Sequence, residues 1–155
     1  MKFANPAGHS AGMRLMSAKF FRDTNIIIYT FDKTAAEKQN RAKSLVKSAL
    51  TGSGCISWQV IQEFCNAALG KFIKPMGREE LRDYFTAVFF PLCTVWADKA
   101  IYREALTVGL ETGYSWYESL IVAAAVETGT RILYSEDLQH NRKYRSLTIE
   151  NPFME

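Results

Sequence analysis

The sequence predicts a three-layer α/β/α sandwich around a mostly parallel, five-stranded sheet, and three observations carry that reading. From residue 18 onward short apolar runs alternate with segments of helical periodicity, the pattern of βα units laid on a parallel sheet. Gly and Pro are scattered singly, with no repeat and no low-complexity block, so residues 19–155 read as one domain. The 155 residues are 48% hydrophobic, 13% aromatic and 23% charged, an ordinary globular balance. A chain of this length buries roughly 68–70% of its unfolded surface, so its core needs neither disulfides nor a structural metal.

The elements follow in order. Lys19-Phe20-Phe21-Arg22 opens the first strand and runs into Asp23-Thr24-Asn25. Ile26 to Tyr29 is ambiguous by periodicity and is read as a short helix. Thr34 and Glu37 match a capping box, and Ala42, Leu45, Val46, Ala49 and Leu50 follow at helical spacing until Gly52. Cys55-Ile56 is a brief buried strand and Ser57 a candidate N-cap. Ile61, Phe64, Ala68 and Leu69 form the apolar stripe of the next helix, closed by the basic turn Lys71 to Pro75.

Leu81, Tyr84, Phe85, Val88 and Phe89 repeat at helical spacing, and Pro91 is expected to stop that helix before a strand over Leu92 to Trp96. Asp98 can cap a helix reaching Val108. Ser115 to Thr128 is a helix made narrow by Ala123-Ala124-Ala125 and ended by Gly129. Arg131 to Ser135 is the next strand and Leu147-Thr148-Ile149 a weak final one.

Composition excludes several classes. Cys55, Cys65 and Cys93 form no C-x-x-C pair and no zinc-ligand spacing, which suits a reducing cytoplasm. Phe85 to Ala97, an uncharged stretch near the middle, is too short to span a bilayer and is broken by Pro91. Residues 1–18 lack the apolar run of a secretory signal and read as a loose leader, introduced in cloning or lying upstream of a start at Met13 or Met16. A net charge of +3 is compatible with a polyanionic partner without specifying one.

In open parallel sheets ligands bind beyond the carboxyl ends of the strands, so polar residues just after each apolar run carry the information. Asp23 and Asp137 stand at such ends. Glu63 is the only charged residue between Lys47 and Lys71, and Glu118 is alone between Glu111 and Glu127. An isolated carboxylate in an apolar segment is expensive to bury, so each of these positions needs a reason. Gln59, Glu63 and Asn66 recur at i, i+4 and i+7 as a polar stripe.

If Asp23, Glu63, Glu118 and Asp137 converge, each like-charged pair at about 4 Å costs on the order of 4 kcal/mol at an effective dielectric near 20, and a divalent cation removes that repulsion. An all-carboxylate set with water suits Mg²⁺ or Mn²⁺ rather than zinc or copper. Such a site suits in-line displacement at phosphorus, hence phosphodiester hydrolysis.

Four segments together carry a family likeness: Phe21-Arg22-Asp23-Thr24-Asn25-Ile26, Ser57 to Phe64, Ser115 to Ala125, and Leu133 to His140. In order and spacing the chain resembles a PIN domain, in particular the VapC-type toxin ribonucleases of bacterial toxin–antitoxin pairs. The resemblance implies a metal-dependent endoribonuclease, commonly a homodimer, silenced by a cognate antitoxin that inserts a segment near the acidic pocket. It implies that Asp23, Glu63 and Asp137 are the family's acids, with Asp137 rather than Glu136 pointing inward. It also implies that Thr24, Asn25 and Ser135 orient ligands and water around them. Glu118 departs from the pattern, since relatives usually carry Asp there.

Each candidate has a bland rival. Asp23 in Asp-Thr-Asn is also a common turn former, Glu63 also fits a solvated helix surface, and Ser115-x-x-Glu118 is itself a capping box. Arg22, Lys71, Lys74, Arg142, Lys143 and Arg145 are candidate RNA-binding cations, with Tyr144 interleaved as a stacking platform, although solvated surface charge explains most such residues. His140 is a loop histidine. Gly8-His9-Ser10-Ala11-Gly12 fits G-x-S-x-G, but it lacks the preceding strand that a nucleophile elbow needs. Besides a nuclease, the residues allow a PIN-fold module that binds RNA or protein without cutting. A receiver-like phosphoacceptor fits poorly, because no acid ends the third strand.

Overall fold

The structure is a computed structural model that describes residues 19–154, so the leader and the G-x-S-x-G match lie outside the described residues. In chain order the elements are β1 (Phe20–Arg22), α1 (Thr24–Tyr29), α2 (Ala36–Ser48), β2 (Gly54–Ser57), α3 (Trp58–Gly70), α4 (Arg78–Tyr84), α5 (Phe90–Leu92), β3 (Cys93–Val95), α6 (Lys99–Thr112), α7 (Trp116–Glu127), β4 (Ile132–Tyr134), β5 (Lys143–Tyr144) and β6 (Leu147–Glu150). One sheet runs β3-β2-β1-β4-β6-β5. All pairings are parallel except β5 with β6. Among the described residues no helix is long and apolar enough to cross a membrane.

The sheet has six strands rather than five. The additional strand, β5, is two residues long and pairs Lys143 with Thr148 and Tyr144 with Leu147 across a turn in which Arg145 takes φ 53°. Two residues, one charged and one aromatic, give no period to read.

Three other local expectations are corrected. Thr34 does not cap α2: its amide and hydroxyl both bond Asp32 Oδ1, and Ala35 takes the cap position with no side-chain bond. Ser57 stands at the N-cap of α3, but its Oγ makes no capping bond and is buried without a partner. Pro91 does not stop the fourth helix. The chain winds through a π-type turn at Phe85–Phe89, continues as α5 through Pro91, and only then extends into β3. In a regular helix the proline ring clashes with the carbonyl four residues back, and the wider turn ahead of Pro91 gives it room.

The core is packed where sheet and helices meet. Phe21, Cys55, Ile56, Leu133 and Ile149 project from the strands onto Phe64, Phe89, Val108 and the run Leu120 to Ala125 of α7, all buried. Helix α7 is buried on nearly every side, which is why it carries no amphipathic pattern. Its partner α6 packs tightly against it at Gly109, where an added Cβ would lie 3.2 Å from Ser119 Oγ.

Arg22 is the largest fully buried side chain, 1% exposed. Its Nε donates to Leu45 O at 3.1 Å and its Nη1 to Phe20 O at 3.0 Å, while the guanidinium lies 5.8 Å from the Phe20 and Tyr134 ring centres. Burial lowers its pKa to about 10. These contacts knit β1 to α2 and hold the strand end from which Asp23 projects.

Candidate active site

The strand order reverses at β1, with β2 and β3 on one side and β4 and β6 on the other. Connections leaving neighbouring strands at such a switch point diverge and open a crevice. Asp23 follows β1 and Ser135-Glu136-Asp137 follows β4, so both loops reach that crevice. Helix α3 brings Glu63 on its second turn, and the first turn of α7 brings Glu118.

Asp23, Glu63, Glu118 and Asp137 line one pocket of about 100 Å³ together with Gln59, Tyr117, Ile121 and Leu138. Each acid is aimed by a neighbour. Asp23 is 7% exposed; its Oδ1 accepts from the Thr24 amide at 2.7 Å and its Oδ2 from Ser135 Oγ at 2.7 Å. Thr24 Oγ1 donates to Glu63 Oε2 at 2.5 Å, and Gln59 Nε2 donates to Glu63 Oε1 at 2.7 Å. Asn25 Nδ2 donates to Asp137 Oδ2 at 3.1 Å. Glu118 Oε2 accepts from the Ser115 amide at 2.8 Å, completing a formed capping box with Ser115 Oγ.

Ser135 works from both ends. While donating to Asp23 it accepts from the amides of Asp137 at 3.2 Å and Leu138 at 3.3 Å, so the loop carrying Asp137 is folded around the same hydroxyl. Glu136 turns the other way, to Lys38 and the Tyr29 hydroxyl. Burial would raise its carboxyl, but hydrogen bonds from Lys38 and Tyr29 hold it below its ordinary value.

Asp23 has the reverse problem. Burial pushes its pKa up to about 7; the bonds from Ser135 and Thr24 work against that rise, and the nearby Glu63 and Asp137 add to it. A carboxyl in this state binds a proton near neutrality unless a cation takes the proton's place.

The donor set is all oxygen, which fits a hard divalent cation. Among the described residues no three acidic, histidine or cysteine side chains approach closely enough to ligate one ion unaided. Mg²⁺ keeps several of its waters and takes one or two carboxylates directly, so the residues present fit a largely hydrated ion.

Placement of the other candidates is mixed. Asn66 is exposed on α3 and does not line the pocket, so the polar stripe ends at Glu63. Arg22, expected among the RNA-binding cations, is corrected: it is turned into the protein and presents no surface. Tyr144 is likewise corrected, being 7% exposed with its hydroxyl on Glu111. Arg142 donates to Thr112 O and covers the Tyr114 ring, while Arg145 pairs with Glu104, so both dock the β5 hairpin onto α6. Lys71, Lys74 and Lys143 are exposed and outside the pocket. His140 Nδ1 accepts from the Asn151 amide. Tyr117 and Ile121 line the pocket without having been singled out, because position within a helix start gives no signal of which side faces a cleft.

Residues 20–146 match the PIN domain family over most of the chain. The chain belongs to the PIN domain family. Its fold is similar to a chain of FitAB bound to an IR36 DNA fragment, with TM-score 0.60 and 15% identity over 87% of this chain and 96% of that one. FitAcB from Neisseria gonorrhoeae gives 0.59 and 16% over 86% and 98%. VapBC2 from Rickettsia felis, bound to a DNA fragment from their promoter, gives 0.58 and 15% over 84% and 96%. At these identities the likeness is one of fold. No curated protein matches the chain in sequence. In this PIN domain the four acids come from four separate places in the chain, and the reversal of strand order is what gathers them.

Proposed function

We propose that the chain is a Mg²⁺- or Mn²⁺-dependent endoribonuclease acting as the toxin of a toxin–antitoxin pair. The observation that carries this reading is the pocket itself, in which four carboxylates share one wall-to-wall space and the deepest of them, Asp23, is pushed up to about 7. The resemblance to VapC-type toxins and the similarity of fold to chains of FitAB and VapBC2 support the toxin assignment and a cognate antitoxin as partner.

Asp23, Glu63 and Asp137 would hold a hydrated cation between them, one or two of them directly and the rest through its waters, with Glu118 at the rim. When bound, the cation supplies a Lewis acid that stabilises charge on the phosphoryl oxygens and favours ionisation of water. The chain's own groups do the positioning. Ser135 and Thr24 fix both oxygens of Asp23, Thr24 and Gln59 fix Glu63, and Asn25 fixes Asp137, so the ligand set is oriented before anything binds. Ile121 and Leu138 make part of the lining apolar and limit free water. Loss of a proton from Asp23 and gain of a cation are then a single linked event.

A second reading, a PIN module that binds without cutting, is favoured by one observation: the Glu118 carboxylate is committed to the Ser115 amide. RNA cleavage with Mg²⁺ or Mn²⁺ separates the two. On the nuclease reading cleavage disappears with chelator and falls at least 100-fold in Asp23→Asn. Cleavage surviving in that variant would overturn it, and an inert wild type made active by Glu118→Asp would establish the second reading.

A further inference from the structure

The pocket is small for a whole nucleotide. Ligand sites that enclose a drug-sized molecule occupy roughly 300–1,000 Å³, and this one, of about 100 Å³, takes waters, an ion and the edge of a phosphate. A nucleobase has to lie outside, on the rim.

The rim is aromatic on one side. Tyr117 lines the pocket yet is 66% exposed, and among the described residues its hydroxyl makes no hydrogen bond. Its backbone is not free: Gln59 Nε2 donates to Tyr117 O at 3.1 Å while holding Glu63, so the main chain that carries the ring is tied to the acids. Gln59 is 3% exposed, its Nε2 is satisfied twice, and its Oε1 has no partner, an arrangement that keeps the strut in place at some cost.

Beside it Trp116, 42% exposed, stacks on Tyr102 of α6 with ring centres 6.0 Å apart and planes 7° apart. Lys99, one helical turn before Tyr102 on the same face, and Arg103, the next residue along, are both exposed, and among the described residues neither has an ion-pair partner. Flat aromatic faces bordered by free cations are the elements of a single-strand track, in which bases stack and the backbone is neutralised.

We propose that Tyr117 is the stacking platform for the base next to the phosphodiester held at the acidic pocket, and that Trp116 and Tyr102, with Lys99 and Arg103, continue a single-strand RNA track away from it. This rests on the nuclease reading for the phosphodiester at the pocket, but not for the stacking itself.

Binding decides it. Asp23→Asn protein is titrated with a short, fluorescently labelled single-stranded RNA of mixed sequence, as such and with Tyr117→Phe or Tyr117→Ala added. The alanine change weakens binding between about 5- and about 100-fold and the phenylalanine change less than about twofold. Removing one base at a time from the RNA finds a position whose loss does the same. The base removal and Tyr117→Ala together then cost no more than either alone, since both delete one contact.

Equal binding by Tyr117 and Tyr117→Ala proteins, or additive losses with every abasic RNA, overturns the proposal. A Tyr117→Ala effect confined to self-association or to capture by a protein partner overturns it too, and makes the rim a protein-docking face. If the wild type binds RNA and never cuts it, the nuclease reading fails while the titration still decides the stacking; if it binds none, both fail.

Discussion

Replacing Asp23 by Asn should make the metal-free protein more stable at neutral pH, by an amount that follows from the pocket. The carboxyl is ordinarily at 3.8 and is pushed up to about 7 in the fold. Below pH 4 it is protonated in both the folded and the unfolded chain, and the fold has its full stability. Between about 4 and 7 the unfolded chain ionises while the folded one still holds the proton, so stability falls as pH rises. Above about 7 the loss is complete, and at about 1.4 kcal/mol per pH unit over about three units it amounts to about 4 kcal/mol.

Asp23→Asn abolishes that charge but gives up one hydrogen bond. Ser135 Oγ already accepts from two amides and donates only to Asp23, so the variant's amide cannot replace that bond, a loss of about 1 kcal/mol. The variant is therefore about 3 kcal/mol more stable than wild type above pH 7 and about 1 kcal/mol less stable below pH 4. Urea denaturation of both proteins with chelator, from pH 4 to 8, measures the difference, and titrations common to both, such as Glu136, cancel. Saturating Mg²⁺, at about 100 times its Kd, adds about 2.7 kcal/mol to wild type and little to the variant. A difference that does not change with pH would refute the claim that Asp23 is buried at the cost of its charge.

Gly54→Ala destabilises by about 1–3 kcal/mol, because the added Cβ meets the buried guanidinium of Arg22 and lies 2.7 Å from Ala49 Cβ, so one of two fixed groups must move; a change under about 0.5 kcal/mol in urea denaturation would show that Arg22 is loosely held. Ser115→Ala and Glu118→Gln separate the two duties of the α7 start. The first removes the cap hydroxyl and costs about 1 kcal/mol. The second keeps an acceptor for the Ser115 amide and changes stability by less than about 0.5 kcal/mol, yet lowers RNA cleavage at least tenfold if the charge serves the cation; unchanged cleavage would leave Glu118 as a cap alone.

What the sequence made legible was the placement of acids relative to strands. Asp23 after Phe20–Arg22 and Asp137 after Ile132–Tyr134 follow from where apolar runs end, and Ser115-x-x-Glu118 is a local pattern that forms as written. The failures are those in which distant packing decides. Nothing around Arg22 announces that its guanidinium will be enclosed by Phe20, Tyr134 and Leu45, since a basic residue at a strand end normally reads as surface. Thr34 has no capping role because the helix starts one residue later, with Ala35 at the cap position and Thr34 turned back onto Asp32. Pro91 reads as a helix stop because the π-type turn that accommodates it has no signature of its own.

The same division explains why the acids were easier to find than their support. A carboxylate in an apolar segment is conspicuous because its burial is costly, whereas Thr24, Asn25, Ser135 and Gln59 are ordinary polar residues whose importance lies in what they face across the crevice. All four bridge elements far apart in the chain: Asn25 reaches Asp137, Ser135 reaches Asp23, Thr24 reaches Glu63, and Gln59 reaches Tyr117 O. Those bridges hold the four carboxylates in one pocket while it is without a cation, when mutual repulsion would otherwise spread the loops. Cation affinity should therefore depend on neutral donors as much as on the acids. A Ser135→Ala protein, which keeps all four carboxylates, tests that dependence directly: it should bind Mn²⁺ at least tenfold more weakly by calorimetry, and unaltered binding would mean that the backbone alone sets the pocket.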